Sequence, residues 1–146
     1  AGVISDRVFQ SRRGPVAGIL YGGMLIGSIV AAFTYKTAFL PWLVILMSMF
    51  VIGVHGMLSG TASMDFGGKK NVGVAVGIID GFVYAGTGFM SVLYGVILPD
   101  DASGAAADPA NWQVWPISMI PMAAIGLVLA RRVWDAKPKG KAAAAH

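Results

Sequence analysis

Long apolar stretches separated by short polar segments dominate the chain. They cover residues 15–34, 38–60, 72–98 and 112–132. Each is close to the roughly 20 residues that a helix needs to cross the hydrocarbon core of a bilayer. None alternates apolar and polar positions for long, and all are too long for strands. In lipid a spanning segment must satisfy its own backbone groups, which a helix does alone. The pattern therefore predicts an all-α, polytopic membrane protein. Residues 1–14 read as a charged loop, 15–134 as a four-helix transmembrane unit, and 135–146 as a disordered tail.

Composition supports this solvent assignment. The chain has 146 residues, 56% hydrophobic and 12% charged, with mean hydropathy +0.71. A water-soluble domain carries about twice that charged fraction. The net charge of +4 could suggest a nucleic-acid partner. The charges instead cluster in short segments between apolar spans, so no nucleic acid is expected. Arg7, Arg12 and Arg13 open the chain, Lys69 and Lys70 separate the second and third spans, and Arg131, Arg132, Lys137, Lys139 and Lys141 follow the fourth. These alternate segments hold ten of the eleven basic residues. The remaining two connections hold only Lys36 and the acids Asp100, Asp101 and Asp108. Cytoplasmic loops collect Lys and Arg, so both ends of the chain are expected on the cytoplasmic side of a cell (inner) membrane. Trp42, Trp112, Trp115 and Trp134 stand near span ends, as interfacial aromatics do. The lysine-rich tail is either a solvated topology signal or a contact for anionic lipid.

The third span carries the unusual chemistry. Gly73, Gly77 and Gly81 recur every fourth residue, a spacing that lets membrane helices approach closely. Glycine costs about 1 kcal/mol against alanine in a helix, so either tight packing or a helix that slides or bends is implied. Asp80 lies within this span, where a carboxylate must face a cavity or a partner. Tyr84 follows one turn later on the same face. His55, in the second span, is expected at a depth similar to Asp80. The pair could carry a proton, hold a gate or form a plain interhelical hydrogen bond. Pro116 and Pro121 are expected to bend the fourth helix.

No phosphate-binding glycine loop, H-E-x-x-H or G-x-S-x-G pattern is present. Nothing points to an enzyme or to a cofactor. His55 and His146, with no cysteine, do not compose a zinc site.

The opening run, Gly2-Val3-Ile4-Ser5-Asp6-Arg7-Val8-Phe9-Gln10-Ser11-Arg12-Arg13, reads G-x-x-x-D-R-x-x-x-x-R-R. It resembles the signature cytoplasmic loop of the major facilitator superfamily of secondary transporters. An acid in such a loop can bond the positive end of a neighbouring helix and pair with nearby arginines. Gly2, Asp6, Arg7, Arg12 and Arg13, with Lys69 and Lys70, are therefore candidate parts of a gate. The plainer reading is that the basic residues only set topology.

Ser59–Gly73, containing Lys69-Lys70, leads into Gly77-Ile78-Ile79-Asp80-Gly81-Phe82-Val83-Tyr84-Ala85-Gly86. This stretch looks like the 10–11 loop and helix 11 of the organophosphate:phosphate antiporter branch, which includes glycerol-3-phosphate and hexose-phosphate transporters. The resemblance implies twelve helices in two halves, alternating access and a fragment running from the 8–9 loop to helix 12. It implies as partners a small anionic substrate such as a phosphorylated metabolite, inorganic phosphate, the lipid bilayer and the missing N-terminal helices of a parent carrier. It also places Tyr84 facing the cavity. Asp80 departs from that pattern, because an acid repels an anionic substrate. An autonomous four-span carrier that dimerises and a non-transporting membrane subunit remain the alternatives.

Overall fold

The computed structural model describes residues 1–137, the side chain of Lys69 excepted. Among the described residues there is no strand. A short helix α1 (Gly2–Val8) precedes α2 (Arg13–Thr34), α3 (Leu40–His55), α4 (Ser63–Ile97) and α5 (Val114–Arg132). A π-helical segment, Gly56–Ala62, joins α3 to α4 without a break. Short 3₁₀ turns at Ala105–Ala107 and Pro109–Gln113 lead into α5. Four helical units are long and apolar enough to cross a membrane: Arg13–Thr34, Leu40–Gly68, Lys70–Ile97 and Pro109–Arg132.

The second of these outruns its apolar stretch. Its 29 residues make a rod of about 43 Å, against a hydrocarbon core of about 30 Å. Residues 61–67, which read from the sequence as connection, are helical and extend the span past the apolar core. The chain reverses at Gly68 alone, with φ 65° and ψ 172°, a backbone state that favours glycine. Gly67 lets the following helix close in, since a Cβ there would lie 3.0 Å from Ala75 Cβ.

The π segment has a local cause. Gly56 and Gly60 hold helix weakly, and Ser63 Oγ donates to Leu58 O, five residues back, at 2.9 Å. One residue too many per turn shifts every later side chain around the helix.

The core lies around α2. Its most extensive packing is against α5, then α3. Val16 and Ala17 pack with Met57 and Ala130, while Ala31 packs with Leu43 and Met47 further along. Close approach depends on glycines: Gly126 on α5 lies against the Tyr21 ring, and Gly18 on α2 against Trp134. Pro116 is one of two prolines on α5. It sits in the first turn, where a missing N–H leaves no bond unmade. The helix also continues through Pro121.

The third span stands apart. None of its 18 most apolar residues is buried. Val83 borders a cavity of about 190 Å³ with Tyr21 and His55. Met90 and Tyr94 border another, of about 440 Å³, with Met119 and Met122. One polar link crosses to α5, where Ser118 Oγ donates to Tyr94 Oη at 3.1 Å.

Candidate functional site

Two polar clusters arise on this frame. The first gathers where α1, the start of α2 and the Gly68 reversal meet. After α1 the chain turns back through Gln10 (φ 53°) and Ser11 (φ 63°), a left-handed backbone that costs non-glycine residues about 1 kcal/mol each. Several bonds hold the turn. Ser11 N donates to Ser5 O at 2.9 Å, Ser5 Oγ to Arg12 O at 2.8 Å, and Ser11 Oγ to Asp6 Oδ1 at 2.8 Å. The turn brings Asp6 alongside Arg13, the first residue of α2.

Arg13 is the centre of this cluster. The residue is 5% exposed. Its Nε donates to Asp65 Oδ2 at 2.7 Å, and its Nη2 lies 2.6 Å from the same oxygen as an ion pair. Its Nη1 lies 2.9 Å from Asp6 Oδ1, off the line of an N–H bond, so this contact is Coulombic. One buried cation thus ties α1 to the second span, 52 residues away in sequence. The two carboxylates also offset the cost of placing Arg13 at the positive end of α2. Beside them Gly2 packs close to Thr61, where a Cβ would stand 3.4 Å from Oγ1.

The other sequence-singled cations stand differently. Arg12 pairs with Asp135 at 3.1 Å, in an exposed contact of the kind that contributes about 0–1 kcal/mol. Arg7 and Lys70 are exposed and join none of the ion pairs found among the described residues. The side chain of Lys69, the lysines Lys139 and Lys141, and the tail from 138 to 146 lie outside the described residues. Reading the sequence missed Asp65 and Asp135. Asp65 was hidden because residues 61–67 read as loop. Extending the helix to Gly67 puts it at the end of the second span, among the basic segments.

The second cluster joins the π segment to the third span. Ser59 Oγ donates to Asp80 Oδ1 at 2.5 Å. Ser59, and not His55, meets Asp80. His55 is exposed one turn earlier, at the edge of the smaller cavity. Both carriers of the expected proton pair are present, but no bond joins them. Tyr84 is 69% exposed. At 3.6 residues per turn, Gly73, Gly77, Gly81, Tyr84 and Gly88 fall within a sector of about 80°, with Asp80 at its edge. A Cβ added at any of these glycines would meet nothing within 4 Å. Among the described residues the glycine ladder therefore makes no close approach. Among the described residues no group of His, Asp and Glu is arranged to hold a metal ion.

No family model matches the chain, and no solved structure matches it. Curated relatives do. It is 31% identical over 140 residues to the "Glycerol-3-phosphate transporter" of Bacillus subtilis (strain 168), covering 92% of this chain and 29% of the relative. It is 26% identical over 140 residues to the "Probable hexose phosphate transport protein" of Chlamydia trachomatis, covering 93% and 28%. The protein of the same description in Chlamydia pneumoniae is 27% identical over 143 residues, covering 95% and 29%. The chain thus spans less than a third of the length of these relatives.

Proposed function

From a chain related, over nearly its whole length, to glycerol-3-phosphate and hexose phosphate transporters of the major facilitator superfamily, we propose that it forms part of a secondary transporter for a phosphorylated metabolite. The match at 31% identity to a glycerol-3-phosphate transporter carries this reading. The carrier works by alternating access in the cell (inner) membrane, with the Arg13 end of the bundle cytoplasmic, as the basic segments there favour. The chain supplies the last four helices of a twelve-helix fold.

In this reading the Asp6–Arg13–Asp65 cluster is the cytoplasmic gate. With the gate closed, the buried guanidinium holds α1 against the Gly68 hairpin. When the carrier opens inward the hairpin withdraws, and each charge gains water in place of its partner. Arg12–Asp135 reinforces the same closure weakly. The open face of the third span, with Tyr84 and the glycine ladder, lines the substrate route, and His55 stands beside it. Asp80 is not a phosphate contact. Anchored by Ser59, it holds the third span to the π segment and keeps its charge at the edge of the route.

The test is exchange in proteoliposomes. The full-length parent is expected to exchange external glycerol 3-phosphate or a hexose phosphate for internal phosphate. Uptake confined to unphosphorylated solutes would overturn the substrate class. Four spans cannot make both halves of an alternating carrier, so this chain alone is expected to give no uptake above empty vesicles. Substrate-dependent uptake by it would show an autonomous carrier instead.

A further inference from the structure

We propose that the π segment Gly56–Ala62 is the joint on which the Arg13 gate turns. It holds one surplus residue while the gate is shut and becomes α-helix, giving that residue up, as the gate opens. The proposal rests on the reading of Asp6, Arg13 and Asp65 as a gate. A specific donor holds the surplus residue. The N–H of Ser63 is shared between Leu58 O, five residues back, and Gly60 O. Ser63 Oγ donates to the same Leu58 carbonyl at 2.9 Å. Elsewhere in these helices Ser28, Thr34, Ser48, Thr87 and Ser91 each donate to the carbonyl four residues back. Ser63 is 1% exposed, so its hydroxyl must find a partner within the protein. In an α-helical turn that partner becomes Ser59 O, four residues back. The donor is therefore satisfied in both forms of the segment.

The flanks of the segment suit a joint. On one side α3 is fixed to α2 through Leu43 and Met47, and Met57 keeps the start of the segment in the core. Within it, a Cβ added at Gly56 or Gly60 would meet nothing within 4 Å, and glycine leaves the backbone free to change. On the other side only residues 63–67 precede Gly68, whose φ of 65° already interrupts the helix. Those five residues can turn without dragging the third span with them.

Helix geometry sets the amplitude. Giving up one residue turns 63–67 by about 100° relative to α3 and advances them by about 1.5 Å. A side-chain tip about 5–6 Å from the helix axis then moves roughly 8 Å. Asp65, now 2.7 Å from Arg13 Nε, is carried out of reach. Ser59 lies inside the segment, so its bond to Asp80 is rephased by the same step. One residue of helix thus couples the two polar clusters.

The test uses the full-length carrier with any other cysteines removed and Ala62→Cys added, which puts a thiol at a position 8% exposed. Ser63→Ala deletes the hydroxyl that holds the surplus residue. It should raise the maleimide labelling rate about two- to tenfold, the worth of one hydrogen bond. Ser48→Ala removes an ordinary bond four residues back in the same span and should leave the rate unchanged. Deleting Gly60 takes out the surplus residue itself. Residues 63–67 then keep their phase on an α-helical span, so Asp65 still meets Arg13 and the joint is gone. In that background Ser63→Ala should no longer accelerate labelling. Should the deletion fail to fold, the comparison of Ser63→Ala with Ser48→Ala decides. Labelling no faster in Ser63→Ala than in Ser48→Ala, or an acceleration that survives the deletion, overturns the proposal. Labelling needs no substrate, so the joint can fail while exchange in proteoliposomes upholds the carrier, and the reverse.

Discussion

Replacing Arg13 by glutamine removes one cation and strands two carboxylates. Breaking a buried ion pair from one side costs about 3–5 kcal/mol. Here the stranded groups are partly wet: the Asp6 side chain is 44% exposed and that of Asp65 19%, against 6% for Arg13. Asp6 also keeps the Ser11 hydroxyl. Most of the penalty therefore falls on Asp65, and a cost near 2–3 kcal/mol to the closed arrangement is reasonable. That is roughly a 30- to 150-fold shift from closed to open. Thr61, which Gly2 covers, reports the change. This chain has no cysteine, so Thr61→Cys adds its single thiol. In the full-length carrier with any other cysteines removed, Arg13→Gln should raise the maleimide labelling rate at that thiol by about one to two orders of magnitude. Asp65→Asn should give a smaller rise, because Arg13 keeps Asp6, and Arg12→Gln almost none. The Arg13→Gln, Asp65→Asn double variant should fall short of the sum of its parts, since both remove the same contact. A labelling rate unchanged by Arg13→Gln in a normally folded carrier, or strictly additive effects, would refute the gate.

The other predictions concern the third span and the turn. Ser59→Ala should leave Asp80 without its hydroxyl and loosen the third span by about 1–3 kcal/mol, seen as faster hydrogen exchange across residues 70–97. Asp80→Asn should do so less, because an amide still accepts from Ser59, and unchanged exchange in Ser59→Ala would exclude the latch. Gly126→Leu forces a side chain into the Tyr21 ring and should lower thermal stability by about 1–3 kcal/mol or more. Gly77→Ala meets no atom of this chain within 4 Å and should not destabilise these helices; a loss of transport with stability intact would place its contact outside the chain. Gln10→Gly relieves a left-handed residue and should stabilise the α1–α2 turn by about 1 kcal/mol, read as slower amide exchange at Ser11.

Much of this was legible along the chain because lipid imposes a one-dimensional rule. A stretch such as 15–34 must be helical wherever it packs, since no water is present to bond its backbone. The same rule made Asp80 conspicuous, and the spacing of Asp6 and Arg13 marked them as a unit. Partners were not legible, because they depend on helix phase and on where a helix stops. The second span runs on to Gly67 because hydrogen bonding, not hydropathy, ends a helix, and this brings Asp65 to Arg13. The π segment adds a residue to one turn and presents Ser59, rather than His55, to Asp80. The glycine ladder shows the converse: its spacing announces a contact, yet only the packed helices reveal that the described residues supply none. The sequence alone determined a four-span helical membrane protein and its family resemblance. The tertiary structure decided which charges meet, because a contact between residues 13 and 65, or 59 and 80, exists only once helix lengths, phases and the Gly68 reversal are set together.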